Sequence, residues 1–184
     1  MNKIIFVSHC ILNTSSKVFS FEKVHEPEDE YRRAFLFDAI SNSIQLVQLP
    51  CPEFIMYGSK RWGHSREQFD NEFFKSVSRE LLSPFIKQLV EYTKDERSTV
   101  LGIVGINGSP SCGVDFSFSA DWYGELGSNT SLDSMLKNYS YDKRYGVYME
   151  VLDSMMRENN LNIPIYPLRE NLIGDLLSGG TYED

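Results

Sequence analysis

Cysteine is scarce in this chain: there are 3 in 184 residues, an odd number, and no two form a CxxC pair. The odd count argues against the paired disulfide framework of a small secreted domain and for a reducing compartment. The missing CxxC pairs exclude the ligand spacing of zinc ribbons and of most ferredoxin clusters. Cations are also in short supply. With 18 Lys and Arg against 26 Asp and Glu, the net charge is −8, so long DNA or RNA would approach against an adverse field. No apolar run nears the roughly 20 residues of a spanning helix. Ser8, His9 and Asn13 interrupt the run Ile4–Val7 before it could serve as a signal-peptide core. The expectation is a cytoplasmic protein that neither spans a membrane nor binds long nucleic acid.

What remains is an ordinary globular composition, 41% hydrophobic and 13% aromatic, in a length suited to one domain over 1–184. Ile4–Val7 reads as a buried first strand, and a helix is expected near 28–42, with Glu28, Asp29 and Glu30 at its N-terminal end. Residues 43–49 alternate polar and apolar up to Pro50, which predicts a second strand. Residues 52–64, with Gly58 and Gly63, read as an ordered loop. Helical spacing returns over 67–94, with Pro84 as an expected kink or break. The near-continuous apolar run 99–106 predicts a third, fully buried strand. Leu132–Leu136 and Tyr145–Met156 suggest one further helix, 163–167 a proline-bearing edge strand, and 168–178 a last helix ending at Gly179-Gly180.

Strands alternating with helices predict an α/β fold: a Rossmann-like three-layer sandwich with a mainly parallel central sheet. In such a sheet the loops that follow the strands share one edge, where open α/β sheets bind ligands. Cys10, Cys51 and Cys112 each follow an expected strand, so the topology predicts that they converge on a metal or iron–sulfur site. The competing reading is that they are small buried hydrophobes. Two local features favour the site: the turn-rich Gly108-Ser109-Pro110-Ser111-Cys112-Gly113, which can present backbone N–H groups to sulfur, and Cys51-Pro52-Glu53, which sets a carboxylate beside a thiol.

Ser8-His9-Cys10-Ile11-Leu12, Cys51-Pro52-Glu53 and Ser109-Pro110-Ser111-Cys112-Gly113 stand in the order and spacing of the hallmark segments of the thiouracil desulfidase family, which this chain resembles. The resemblance implies a 4Fe–4S cluster on Cys10, Cys51 and Cys112 with one iron lacking a protein ligand, and a small thiolated substrate that loses sulfur without net redox change. It also implies that Glu53 and Ser109 handle water and protons. His9, beside Cys10, is by its position a candidate hydrogen-bond donor or proton carrier, or a structural residue. Ser8, Asn13, Arg61, Trp62 and Ser111 are the candidates for substrate contact, and Tyr57, Trp122 and Tyr123 could also stack on a flat heterocycle. The chain departs from the commonest family pattern over Asn13–Lys17 and Phe54–Gly63, the segments placed to shape a pocket. Cluster binding therefore carries over more fully than substrate identity.

Two other readings stand beside this one. Cys10 activated by His9, or Cys112 by its loop amides, could act as a lone thiolate nucleophile. Alternatively the thiols could hold zinc or a cluster in a non-catalytic module. The basic cluster Lys60, Arg61 and Arg66 reads as solvated surface, or as a hold for one small anion.

Overall fold

The computed structural model of the protein describes residues 1–21 and 26–179. In chain order the elements are β1 (Asn2–Val7), α1 (His9–Leu12), a 3-10 turn (Thr14–Ser16), α2 (Glu26–Ser41), β2 (Gln45–Gln48), α3 (Pro52–Tyr57), α4 (Arg66–Phe69) and α5 (Glu72–Lys94). Then follow β3 (Ser98–Gly105), β4 (Ser117–Ser119), α6 (Leu132–Lys137), β5 (Ser140–Asp142), α7 (Val147–Glu158), β6 (Ile165–Pro167) and α8 (Leu172–Ser178). Among the described residues no helix is long and apolar enough to cross a membrane.

The central sheet has the order β2-β1-β3-β6, and every pairing in it is parallel. β1 shows why: its side chains alternate, with Ile4 and Phe6 on the face covered by α5 and α7, and Ile5 and Val7 on the face covered by α2 and α8. Each face has its own core. Phe74, Leu82 and Leu89 fill one, and Phe35, Ala39 and Leu172 the other. The expected three-layer α/β sandwich is therefore the observed fold. The proline-bearing strand β6 lies at the sheet edge, where a missing N–H costs no ladder bond.

Several local expectations need correction. Residues 52–57 form α3, not a loop: Pro52 occupies the first turn, where its missing N–H is harmless, and Cys51 Sγ accepts the Phe54 N–H at 3.4 Å. Pro84 does not divide α5, which starts at an Asn71 cap whose Oδ1 accepts the Phe74 N–H at 3.0 Å. Leu132–Leu136 and Tyr145–Met156 belong to separate helices, α6 and α7, with β5 between them paired antiparallel to β4. That small sheet carries packed aromatics, including Phe118 against Tyr139 and Trp122, each at 5.2 Å. The expected chain end at Gly180 lies outside the described residues.

The strand order also places the functional edge. From β1 the chain moves to β2 on one side and then crosses to β3 on the other, so the order reverses between β1 and β3. The crevice at such a reversal is where doubly wound sheets take ligands.

Candidate functional site

All three cysteines follow strands of the parallel sheet at that edge: Cys10 in α1 after β1, Cys51 capping α3 after β2, and Cys112 in the loop after β3. Cys112 is buried, and Cys10 and Cys51 are half-buried. Their thiols feel one another. Burial pushes Cys112 well up, and the charges of Cys10 and Cys51 add to the effect. The protein packed around Cys10 raises its thiol to about 12, opposed by Lys17 and reinforced by Glu28, Cys51 and Glu53. Burial likewise raises Cys51, against the Phe54 amide. Among the described residues no three His, Cys, Asp or Glu side chains are gathered to hold a single metal ion. One ion with bonds of about 2.3 Å would need its sulfurs nearly touching. A cluster binds each thiolate to a different iron and suits thiols that are close but separate.

The Cys112 loop is fixed from behind by α7. The N–H groups of Val147 and Tyr148 donate to Pro110 O and Ser111 O at 3.0 and 2.9 Å. This approach needs glycine, because a Cβ on Gly146 would lie 2.4 Å from Ser111 C and 2.5 Å from Ser111 O.

Beside the thiols lies a polar chain that the sequence did not reveal. Ser111 Oγ donates to Glu53 Oε1 at 2.5 Å, joining the loop after β3 to α3, which follows β2, across the end of β1. Both residues are buried, Ser111 at 2% and Glu53 at 7% exposure, so the reading of Glu53 as a solvated carboxylate does not hold. Ser109 Oγ accepts the Cys112 N–H at 3.0 Å and lies 3.3 Å from Ser111 Oγ. Since the single Ser111 proton goes to Glu53, the Ser109 hydroxyl is the donor between the two serines. On its other side Glu53 Oε2 accepts from Arg61 Nε at 3.1 Å, and Arg61 also donates to Gly58 O at 3.1 Å and Ser16 O at 2.7 Å.

The basic cluster is thus not a solvated surface. Only Lys60 is exposed. The Arg61 side chain is 3% exposed and committed to Glu53. Arg66 is buried as well, donating to Tyr145 O at 2.9 Å and Asp70 Oδ2 at 2.8 Å and pairing with Glu150. Neither guanidinium was legible as buried, because Glu53 and Glu150, which pair with Arg61 and Arg66, come from other elements.

Of the other candidates, Ser8 is buried, and among the described residues its Oγ has no hydrogen-bond partner. His9 opens α1 and its carbonyl accepts Gln48 Nε2 at 2.8 Å. Asn13 caps the 3-10 turn, its Oδ1 accepting the Ser15 N–H at 3.1 Å. Trp62 is 76% exposed. Tyr57 packs on His64, and Trp122 donates to Met135 O at 3.0 Å beside the small sheet, next to an exposed Tyr123. A cleft of about 390 Å³ opens at the ends of β3 and β6, lined by Glu28, Tyr31, Ile106, Asn107 and Leu168 among others. Cys10 packs against the same core cluster as Tyr31, Ile106 and Leu168, which puts the cleft on the Cys10 side of the sheet. None of Ser8, Asn13, Arg61, Trp62 or Ser111 lines it.

Sequence comparison fits this arrangement. A family model described as "Putative 2-thiouracil desulfurase" matches residues 2–161. The chain belongs to that family. It is 30% identical over 161 residues to the uncharacterized protein MJ0003 of Methanocaldococcus jannaschii, covering 84% of this chain and 97% of that protein. No solved structure matches significantly. The desulfurase family match spans all three cysteines, Glu53 and the serine loop.

Proposed function

We propose that this chain is an iron–sulfur-dependent desulfidase that converts a small thiocarbonyl heterocycle and water into the carbonyl compound and sulfide, with no net redox change. The observation that carries the reading is the buried Ser111–Glu53 hydrogen bond at the sheet edge where Cys10, Cys51 and Cys112 each follow a parallel strand. The family's description supports the reaction class.

Cys10, Cys51 and Cys112 would hold a 4Fe–4S cluster, which when bound supplies an iron without a protein ligand as a Lewis acid for the thiocarbonyl sulfur. Glu53 takes a proton from the attacking water, held in orientation by Arg61. Ser111 and Ser109 form a hydroxyl path along which a proton moves between Glu53 and the substrate nitrogen or departing sulfur. The cleft beside Cys10 admits the flat ring against Tyr31, Ile106 and Leu168. The reaction needs no electrons, so external reductant is not consumed.

The other readings have less support. A cysteine nucleophile requires a readily ionised thiol, whereas all three thiols are shifted upward. A single zinc ion requires donors gathered about one point, and the described residues offer no such set.

The test is to incubate anaerobically reconstituted protein with 2-thiouracil and related thiocarbonyl heterocycles, without reductant, and to quantify sulfide and carbonyl product. Equal yields of the two support the reading. Cluster-loaded protein that turns over none of them refutes it, and dependence on a stoichiometric reductant refutes the non-redox form.

A further inference from the structure

Tyr148 is the largest side chain among those fully buried, at 0% exposure, and it sits in the same core as Cys112. Among the described residues its hydroxyl has no hydrogen-bond partner. Phenylalanine would fill the same space without desolvating an O–H, and buried tyrosine hydroxyls ordinarily find an acceptor. Packing alone therefore does not account for the oxygen.

Its surroundings indicate what the acceptor is. The Tyr148 N–H is bonded to Ser111 O at 2.9 Å, which fixes the residue directly behind the Cys112 loop. Tyr148 and Cys112 belong to one packed core, and burial drives the phenol far up, with negative charge on Cys112 and Cys51 pushing in the same direction. A second orphan hydroxyl, Ser8 Oγ, is buried at the end of β1, two residues before Cys10.

We propose that Tyr148 is a hydrogen-bond donor to a sulfide of the group bound at this site, and so sets the electronic character of that group. This rests on the iron–sulfur reading above. Inorganic sulfide is a strong acceptor, so the hydroxyl gains its partner when the site is loaded. A donor there favours the more negative, reduced form of a cluster and raises its reduction potential. Tyr148 thereby acts on the sulfur and not on the substrate.

The test compares wild-type protein and Tyr148→Phe, both reconstituted anaerobically with iron and sulfide, by redox titration followed in the visible and by electron paramagnetic resonance. The variant should keep the wild-type iron content and show a lower potential, by up to about 59 mV, a tenfold change in the one-electron equilibrium. Metal-free Tyr148→Phe should melt at or above the wild-type temperature, since no protein hydrogen bond is lost. Equal potentials in the two loaded proteins would overturn the proposal while leaving the cluster reading intact, and so would a lower melting temperature of the metal-free variant. A wild-type protein that takes up no iron would overturn both.

Discussion

Ser111 and Glu53 are 58 positions apart, one in the loop after β3 and the other in α3 after β2, strands that do not touch, yet Ser111 Oγ lies 2.5 Å from Glu53 Oε1. The bond closes over the end of β1, the strand that leads to Cys10. Its geometry makes Glu53 an acceptor on both oxygens, from Ser111 and from Arg61.

Glu53→Gln should therefore retain the bound cluster, because Glu53 is not a ligand, and should lose about 10²- to 10⁴-fold in turnover. It also leaves the buried Arg61 charge without its partner, a loss of about 3–5 kcal/mol in stability. Steady-state sulfide release and denaturant unfolding measure the two effects separately. Wild-type turnover in this variant would remove Glu53 from the mechanism.

Pairing Glu53→Gln with Arg61→Met in a double-mutant cycle should show a coupling of about 1–3 kcal/mol, since the two share one buried contact. Additive losses would mean that Arg61 does not hold Glu53.

The α/β sandwich and the edge carrying the cysteines were legible because strand runs such as Ile4–Val7 and 99–106 are dense in β-branched and apolar residues, and parallel topology fixes where their loops emerge. What was hidden depends on long-range partners. Arg61 and Arg66 look like surface charges until Glu53 and Glu150 are brought to them by folding. α3 was masked by Pro50, Pro52 and Gly58, although proline in a first turn is itself a helix start signal. For Tyr148, helical spacing places the ring in the core but says nothing of where its oxygen finds a partner.

Gly146→Ala tests the seat of the Cys112 loop. The added methyl meets Ser111 backbone and must drive α7 away from the loop, costing about 1–3 kcal/mol or more. Thermal unfolding should show the loss, and iron uptake should fall with it. A variant as stable and as metal-competent as wild type would contradict the close contact.

His64 gives a pH-dependent prediction. Its ring packs against both Tyr57 and Phe69, each at 4.9 Å, and burial lowers its affinity for a proton, with Glu53 opposing and Arg61 assisting. The unfolded chain then binds the proton more readily than the folded one, so this contribution to stability is present above about pH 6.5 and is lost as pH falls through the unfolded value toward the depressed folded one. His64→Phe should flatten the fall in melting temperature between about pH 7.5 and 5.5. An unchanged slope would show that His64 is not the group responsible.

In the proposed desulfidase Cys10, Cys51 and Cys112 share one inorganic centre. Iron and acid-labile sulfide per chain, measured after anaerobic reconstitution of wild type and of Cys10→Ala, Cys51→Ala and Cys112→Ala, test it directly. About four of each in wild type, with a clear loss in every single variant, is the predicted result. A full complement in all three variants, or no iron in wild type, would contradict it.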